Sequence, residues 1–130
     1  MKDLRKQNVG RGGENLALNY LKQQGYRIIE RNYRSPLGEI DIIARDKDYL
    51  CFVEIKTRRG MSKGCPEEAV GKAKIRKISQ NALYYLKSNA IEDCPMRFDV
   101  VAITADEATG QEEINLIKDA FELAVPYFYG

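Results

Sequence analysis

Residues 39–57 constrain the fold of this 130-residue chain more than any other stretch. Glu39 to Ala44 alternates charged and aliphatic side chains, Asp46-Lys47-Asp48 supplies turn residues, and Tyr49 to Thr57 resumes an extended pattern. Two such runs around a short polar turn predict an antiparallel hairpin. A turn centred on Lys47 and Asp48 makes paired positions sum to about 95, which sets Asp41 opposite Glu54 and Glu39 opposite Lys56. Strand side chains alternate, so Glu39, Asp41, Glu54 and Lys56 are expected on one face. Ile40, Ile42, Val53 and Ile55 are expected on the other, where a helix can cover them.

Directly opposed like charges destabilise a strand pair by a few tenths to about 1 kcal/mol, so Asp41 facing Glu54 calls for compensation. A divalent cation supplies it: Mg²⁺ or Mn²⁺ takes oxygen ligands, needs few protein carboxylates and keeps waters for substrate phosphates. Lys56, one pleat away, then places a positive charge beside the metal, where it can orient or help deprotonate an attacking water. The alternative is a cross-strand lattice in which Lys56 neutralises both acids, and a one-residue slip of register would separate them altogether. Glu14 bears on the choice. It falls on the stripe of Ala17, Leu18 and Leu21, and an inward carboxylate needs a partner. A favourable place in the first helical turn explains an acid near Gly12 but not its inward face.

The remaining elements follow from periodicity and punctuation. Gly12 to Gln24 reads as a helix stopped by Gly25, and residues 1–10 are set apart as a flexible segment. Tyr26 to Tyr33 reads as a strand ending at Ser35-Pro36-Leu37-Gly38. After a basic loop from Arg58 to Gly64, Pro66, Glu67 and Glu68 suit the first turn of a long helix running to about Lys87, with Val70, Ala73, Ile78, Ala82 and Leu86 as its apolar stripe. Arg97 to Ala105 is a buried strand, Glu112 to Ile117 a shorter one, and a short helical tail is expected after it. The order αβββαββ predicts an α/β domain, residues 11–130, with a mixed central sheet flanked by helices.

Composition removes several chemistries. Histidine is absent, which excludes Ser-His-Asp and Cys-His nucleophiles and the usual zinc and haem ligand sets. Cys51, Cys65 and Cys94 are an odd set without C-x-x-C spacing, so free thiols are expected rather than a disulfide framework. No apolar run is long enough to cross a bilayer and Met1 to Arg11 is polar, making the cytoplasm the expected compartment and a membrane an unexpected partner. The net charge of +2 hides a polarity. Residues 54–77 carry 8 basic and 3 acidic side chains, whereas residues 78–130 carry 3 and 9. Such a concentration suits an anionic partner, nucleic acid first among them, although a solvated basic face has the same composition.

Gly38-Glu39-Ile40-Asp41-Ile42-Ile43 followed by Val53-Glu54-Ile55-Lys56-Thr57-Arg58 resembles the PD-(D/E)xK core of the restriction-endonuclease-like superfamily. Ile40 stands where that motif has proline. Gly13-Glu14, Gly25-Tyr26-Arg27-Ile28, Pro66-Glu67-Glu68-Ala69-Val70 and Arg97-Phe98-Asp99-Val100-Val101 occur in the order that makes the chain similar to the bacterial YraN family of predicted nucleases, from Gly10 to Phe121. The resemblance implies a restriction-endonuclease-like fold and a Mg²⁺ or Mn²⁺ cofactor. It implies Glu14, Asp41 and Glu54 as metal-site acids, the Ile55 carbonyl as a further ligand and Lys56 as the catalytic lysine. Arg58, Arg59, Lys63, Lys72 and Arg76 are expected to contact the phosphate backbone, with Lys74 and Lys77 left to solvent. Tyr84 and Tyr85 can stack bases, Tyr85 being also a candidate for the core. Asp99 is expected to pair with a basic residue. The apolar end Val125 to Tyr129 either packs back or joins a second copy, leaving a homodimer open.

Two functions remain: a metal-dependent endonuclease on DNA or RNA, with branched or structured DNA in recombination or repair suggested by resolvases of the same superfamily, or a catalytically silent nucleic-acid-binding or assembly protein on that fold.

Overall fold

The computed structural model describes residues 2–59, 70–106 and 108–124, the side chains of 2–12 and 59 excepted. Its elements are α1 (Lys2–Gln23), β1 (Arg27–Ser35), β2 (Gly38–Asp46), β3 (Tyr49–Arg59), α2 (Lys72–Ser88), β4 (Met96–Ala105) and β5 (Glu112–Phe121). The five strands form one sheet in the order β1-β2-β3-β4-β5. Only β3 and β4 run parallel, because α2 carries the chain back between them, and the other three pairs are antiparallel. This is the αβββαββ mixed sheet read from the sequence, a layout compatible with the restriction-endonuclease-like core.

The two helices cover opposite faces. Ala17, Leu18 and Leu21 of α1 pack with Ile42, Ala44, Cys51, Val53, Val101 and Ile103. Ile78, Ala82 and Tyr85 of α2 pack with Ile43, Leu50, Phe52, Phe98 and Val100. Full burial of such side chains stabilises by about 1.5–3 kcal/mol each before entropy is counted, so the two layers hold the sheet between them. Burial on both faces is why β4 carries the unbroken apolar run Val100 to Ile103.

Local chemistry sets the boundaries. Gly25, at φ +95°, ends α1: its N–H donates to the Lys22 carbonyl and the Tyr26 N–H to that of Leu21. These two bonds satisfy carbonyls the helix leaves open, and Tyr26 and Leu21 share the core cluster beneath them. The start of α1 differs from expectation, since the helix runs back to Lys2 through Gly10, Gly12 and Gly13. The second helix begins at Lys72, with Gly71 as its N-cap, and not at Pro66. Pro66, Glu67 and Glu68 lie outside the described residues, as does Cys65. The helical tail expected after Ile117 is corrected over the described residues: β5 continues as a strand to Phe121, pairing with β4, and residues 122–124 are not helical. Residues 125–130 lie outside the described set.

At the β1–β2 turn, Ser35 Oγ accepts from the Leu37 N–H at 3.0 Å and donates to Asn81 Oδ1 at 2.5 Å, tying the turn to α2. Gly38 closes it at φ +140°, where a side chain is strained whatever the space around it. Gly38→Ala is therefore expected to lower stability by about 1–3 kcal/mol, read as a fall in the urea midpoint with an unchanged denaturant slope.

Candidate active site at the fork between β2 and β3

The hairpin register matches the expected one: Ile42 pairs with Val53, Ile43 with Phe52 and Asp46 with Tyr49. The β2–β3 ladder then stops at Ile42 and Val53, whereas β3 keeps pairing with β4 as far as Arg59. The two strands of the hairpin thus diverge just before the acids would face each other. Strict alternation ends there too. Ile40 packs with the α2 cluster instead of sharing the face of Ile42, correcting the expected division of side chains.

This divergence leaves backbone groups of β3 without partners on the β2 side, and Asp41 supplies one. Its Oδ2 accepts the Ile55 N–H at 2.8 Å, so a side chain replaces the ladder bond. The bond pins the Asp41 carboxylate beside Glu54. Burial, and then the Glu54 charge, push the Asp41 carboxyl up to about 7, against the opposing pull of the Ile55 N–H. Among the described residues, Glu39, Asp41 and Glu54 of the sheet and Ala73, Lys74, Lys77 and Ile78 of α2 line a cleft of about 440 Å³ over this fork.

The cation on the acids is Lys74. Its Nζ lies 2.5 Å from Glu54 Oε2, and that hydrogen bond raises the ammonium above the usual lysine range. Lys56 makes no ion pair with any described residue. The alternative lattice around Lys56 is not formed among the described residues, and Lys74, expected in solvent, is exposed along much of its side chain but brings its ammonium onto Glu54. The phase of α2 explains the difference: Lys74 lies four and eight residues before the buried Ile78 and Ala82, hence on the inward face. Lys72 and Arg76 lie two residues to either side of Lys74, about 200° around the helix, and are exposed. The apolar stripe of α2 already contained this signal.

Glu14 is held elsewhere. Its Oε1 accepts from Arg31 Nη2 at 2.9 Å and Asn32 Nδ2 at 3.0 Å, and the Arg31 bond holds its carboxyl below the ordinary glutamate value. These partners belong to β1, α1 covers the sheet face opposite the cleft, and Glu14 does not line the cleft. Among the described residues there is no cluster of three or more Asp, Glu, Cys or His side chains close enough to hold a metal. Two carboxylates nonetheless fit Mg²⁺ or Mn²⁺, which are bound through one or two acids while other positions go to water and phosphate.

Arg58 extends β3 beyond the acids, opposite Thr104 in the ladder. The Arg59 side chain and Lys63 are outside the described set. Tyr85 is core, its ring edge-on to Tyr33 and Phe52 at 5.1 and 5.9 Å, while Tyr84 is exposed. Asp99 pairs with Arg97, as expected, in a buried network on the β4 side of the sheet.

A family model described as "Uncharacterised protein family UPF0102" matches residues 13–103, a span containing every lining residue of the cleft. A UPF0102 protein of Syntrophotalea carbinolica is 47% identical over 118 residues, covering 89% of this chain and 93% of the relative. One from Syntrophus aciditrophicus is 50% identical over 116 residues, covering 89% and 90%. One from Lachnoclostridium phytofermentans is 52% identical over 110 residues, covering 84% and 88%.

Proposed function

The chain belongs to the uncharacterised protein family UPF0102, and on that footing we propose that it is a Mg²⁺- or Mn²⁺-dependent endonuclease that hydrolyses phosphodiester bonds of nucleic acid in the cytoplasm. The observation that carries this reading is the pairing of Asp41 and Glu54 at a strand fork: two carboxylates are kept close in a partly enclosed cleft, at a cost visible in the raised Asp41 carboxyl. Perturbed acids in a cleft are a common mark of chemistry.

Asp41 and Glu54 would hold the cation, with the Ile55 carbonyl as a further ligand by resemblance. A divalent cation bound there supplies charge stabilisation at the phosphodiester and makes water a competent nucleophile at neutral pH. The chain's own contributions are positional. The Ile55 N–H fixes Asp41 Oδ2 and so holds the carboxyl against Glu54. Lys74 and Lys77 put positive charge on the cleft rim, where a phosphate backbone is attracted without its bases being read. Lys56 remains the lysine of the motif, and Arg58, Arg59, Lys63, Lys72 and Arg76 extend the basic surface outside the cleft. DNA is the preferred substrate, branched or structured DNA of recombination and repair being the class that the resolvase analogy suggests.

One observation favours the silent alternative: Glu54 is already neutralised by Lys74, so the acid pair is stable as a structural element. A panel of linear, flapped, nicked and four-way nucleic acids incubated with Mn²⁺ separates the two. The enzyme yields cut products that vanish in Asp41→Ala, Glu54→Ala and Lys56→Ala while binding persists. The binding protein yields none under any metal, and its affinity falls steeply with salt and in Lys72→Ala or Arg76→Ala.

A further inference from the structure

Among the described residues, the Lys74–Glu54 contact is the one ion pair that joins α2 to the sheet, and its partners are unequal. The Glu54 side chain is 5% exposed and that of Lys74 is 48% exposed. A buried ionised carboxylate without a cation is strongly penalised, so Glu54, when charged, needs a positive neighbour. A half-exposed ammonium on a flexible four-carbon stem can instead move into water at little cost.

We infer that Lys74 is an exchangeable counter-ion: its ammonium holds the position on Glu54 that a divalent cation takes, so metal enters the cleft by displacing it. This rests on the proposed metal site at Asp41 and Glu54 and adds a positioning residue to it. The consequence is a competition within the molecule. Glu54 is never left unbalanced, and metal affinity is reduced by whatever the ion pair is worth. Lys77 serves as the control. It lines the same cleft three residues away and makes no ion pair with a described residue, so removing it changes the local field without removing a competitor.

The test is a titration of the full chain with Mn²⁺, following free Mn²⁺ by electron paramagnetic resonance, with no nucleic acid present. Wild type, Lys74→Met, Lys74→Arg, Lys77→Met and Asp41→Asn are compared. Lys74→Met is expected to bind Mn²⁺ about two- to fivefold tighter, the range that a partly exposed ion pair supports. Lys77→Met should gain clearly less. Lys74→Arg, which keeps a cation on Glu54, should bind no tighter than wild type, and it carries the test if the methionine variant fails to fold. Asp41→Asn should lose most binding. Unchanged or weaker binding in Lys74→Met, or equal gains at Lys74 and Lys77, overturns the counter-ion role while leaving the metal site standing. Absence of any Asp41-dependent Mn²⁺ binding, in wild type and Lys74→Met alike, removes the metal site and this inference with it.

Discussion

Asp99→Ala is expected to lose about 3–5 kcal/mol, a large fraction of the roughly 5–15 kcal/mol that holds a domain of this kind together. Asp99 is fully buried on β4 and its carboxylate accepts four bonds: Tyr26 Oη at 2.6 Å, Arg97 Nε and Nη2 at 2.9 Å each, and the Asp119 N–H at 2.9 Å. The last bond has a backbone cause. The β4–β5 register shifts between Phe98 and Val100, Asp119 is at φ +56°, and the N–H released from the ladder turns to Asp99 instead. Arg97 also donates to Asp46 Oδ2 at 2.8 Å, and Lys118 reaches the same oxygen at 3.0 Å. The network therefore ties the loop after α1 to β2, β4 and β5. Alanine would leave the Tyr26 hydroxyl and the Asp119 N–H without acceptors and the Arg97 charge half compensated, which is why the loss exceeds that of a surface ion pair. A fall in the urea midpoint measures it. The double variant Asp99→Leu, Arg97→Met should recover some of the loss, because replacing both charges by apolar groups removes the unpaired one. No recovery in the double variant would assign the loss to packing around Asp99 instead of to charge.

This network and the cleft differ in how far the sequence reveals them. A basic partner for Asp99 is legible, but the long-range members Asp46 and Lys118 come from strands whose juxtaposition depends on the β5 bulge. No local pattern around Asp119 announces that bulge. The hairpin is legible because its turn fixes the register and its alternation fixes the faces. Where β2 leaves β3, that logic stops: the ladder ends at Ile42 and Val53 while β3 continues along β4, a tertiary feature that no hairpin rule encodes, and Ile40 joins the second core. The phase of α2 is legible too, but only to the right count. Counting from Ile78 and Ala82 selects Lys74 over Lys72 and Arg76, whereas proximity in sequence to the basic loop selects the latter pair. Glu14 follows the same lesson. Its inward carboxylate needs a partner, and the structure gives it Arg31 and Asn32, two residues of β1 that no spacing rule links to it.

Asp41→Asn should make the chelator-treated protein more stable above neutral pH, an unusual direction for a change at a candidate catalytic position. The Asp41 carboxyl lies at about 7 in the folded chain against 3.8 as the ordinary value, raised by burial and by Glu54. A folded-state value above the unfolded one means that the native state holds its proton more tightly. Stability from this group is fully present below about 3.8 and is lost as pH rises through about 7. The interval sets a ceiling on the order of 4 kcal/mol, and water at the open cleft mouth with Lys74 nearby reduces the expected effect to roughly 1–3 kcal/mol. Asparagine keeps an oxygen for the Ile55 N–H and never ionises, so its stability should stay level between pH 5 and 8 where that of wild type declines. Urea midpoints across that window, in chelator, measure the divergence, and parallel curves would mean that Asp41 is ionised throughout. Adding Mn²⁺ then reverses the ranking at pH 8. A ligand that binds only the native state stabilises it by about 2.7 kcal/mol at a hundred times its dissociation constant, and only wild type offers two carboxylates to receive it. Because the proton and the metal compete for the same carboxylate, Mn²⁺ affinity should rise with pH through about 7 in wild type and remain low in Asp41→Asn.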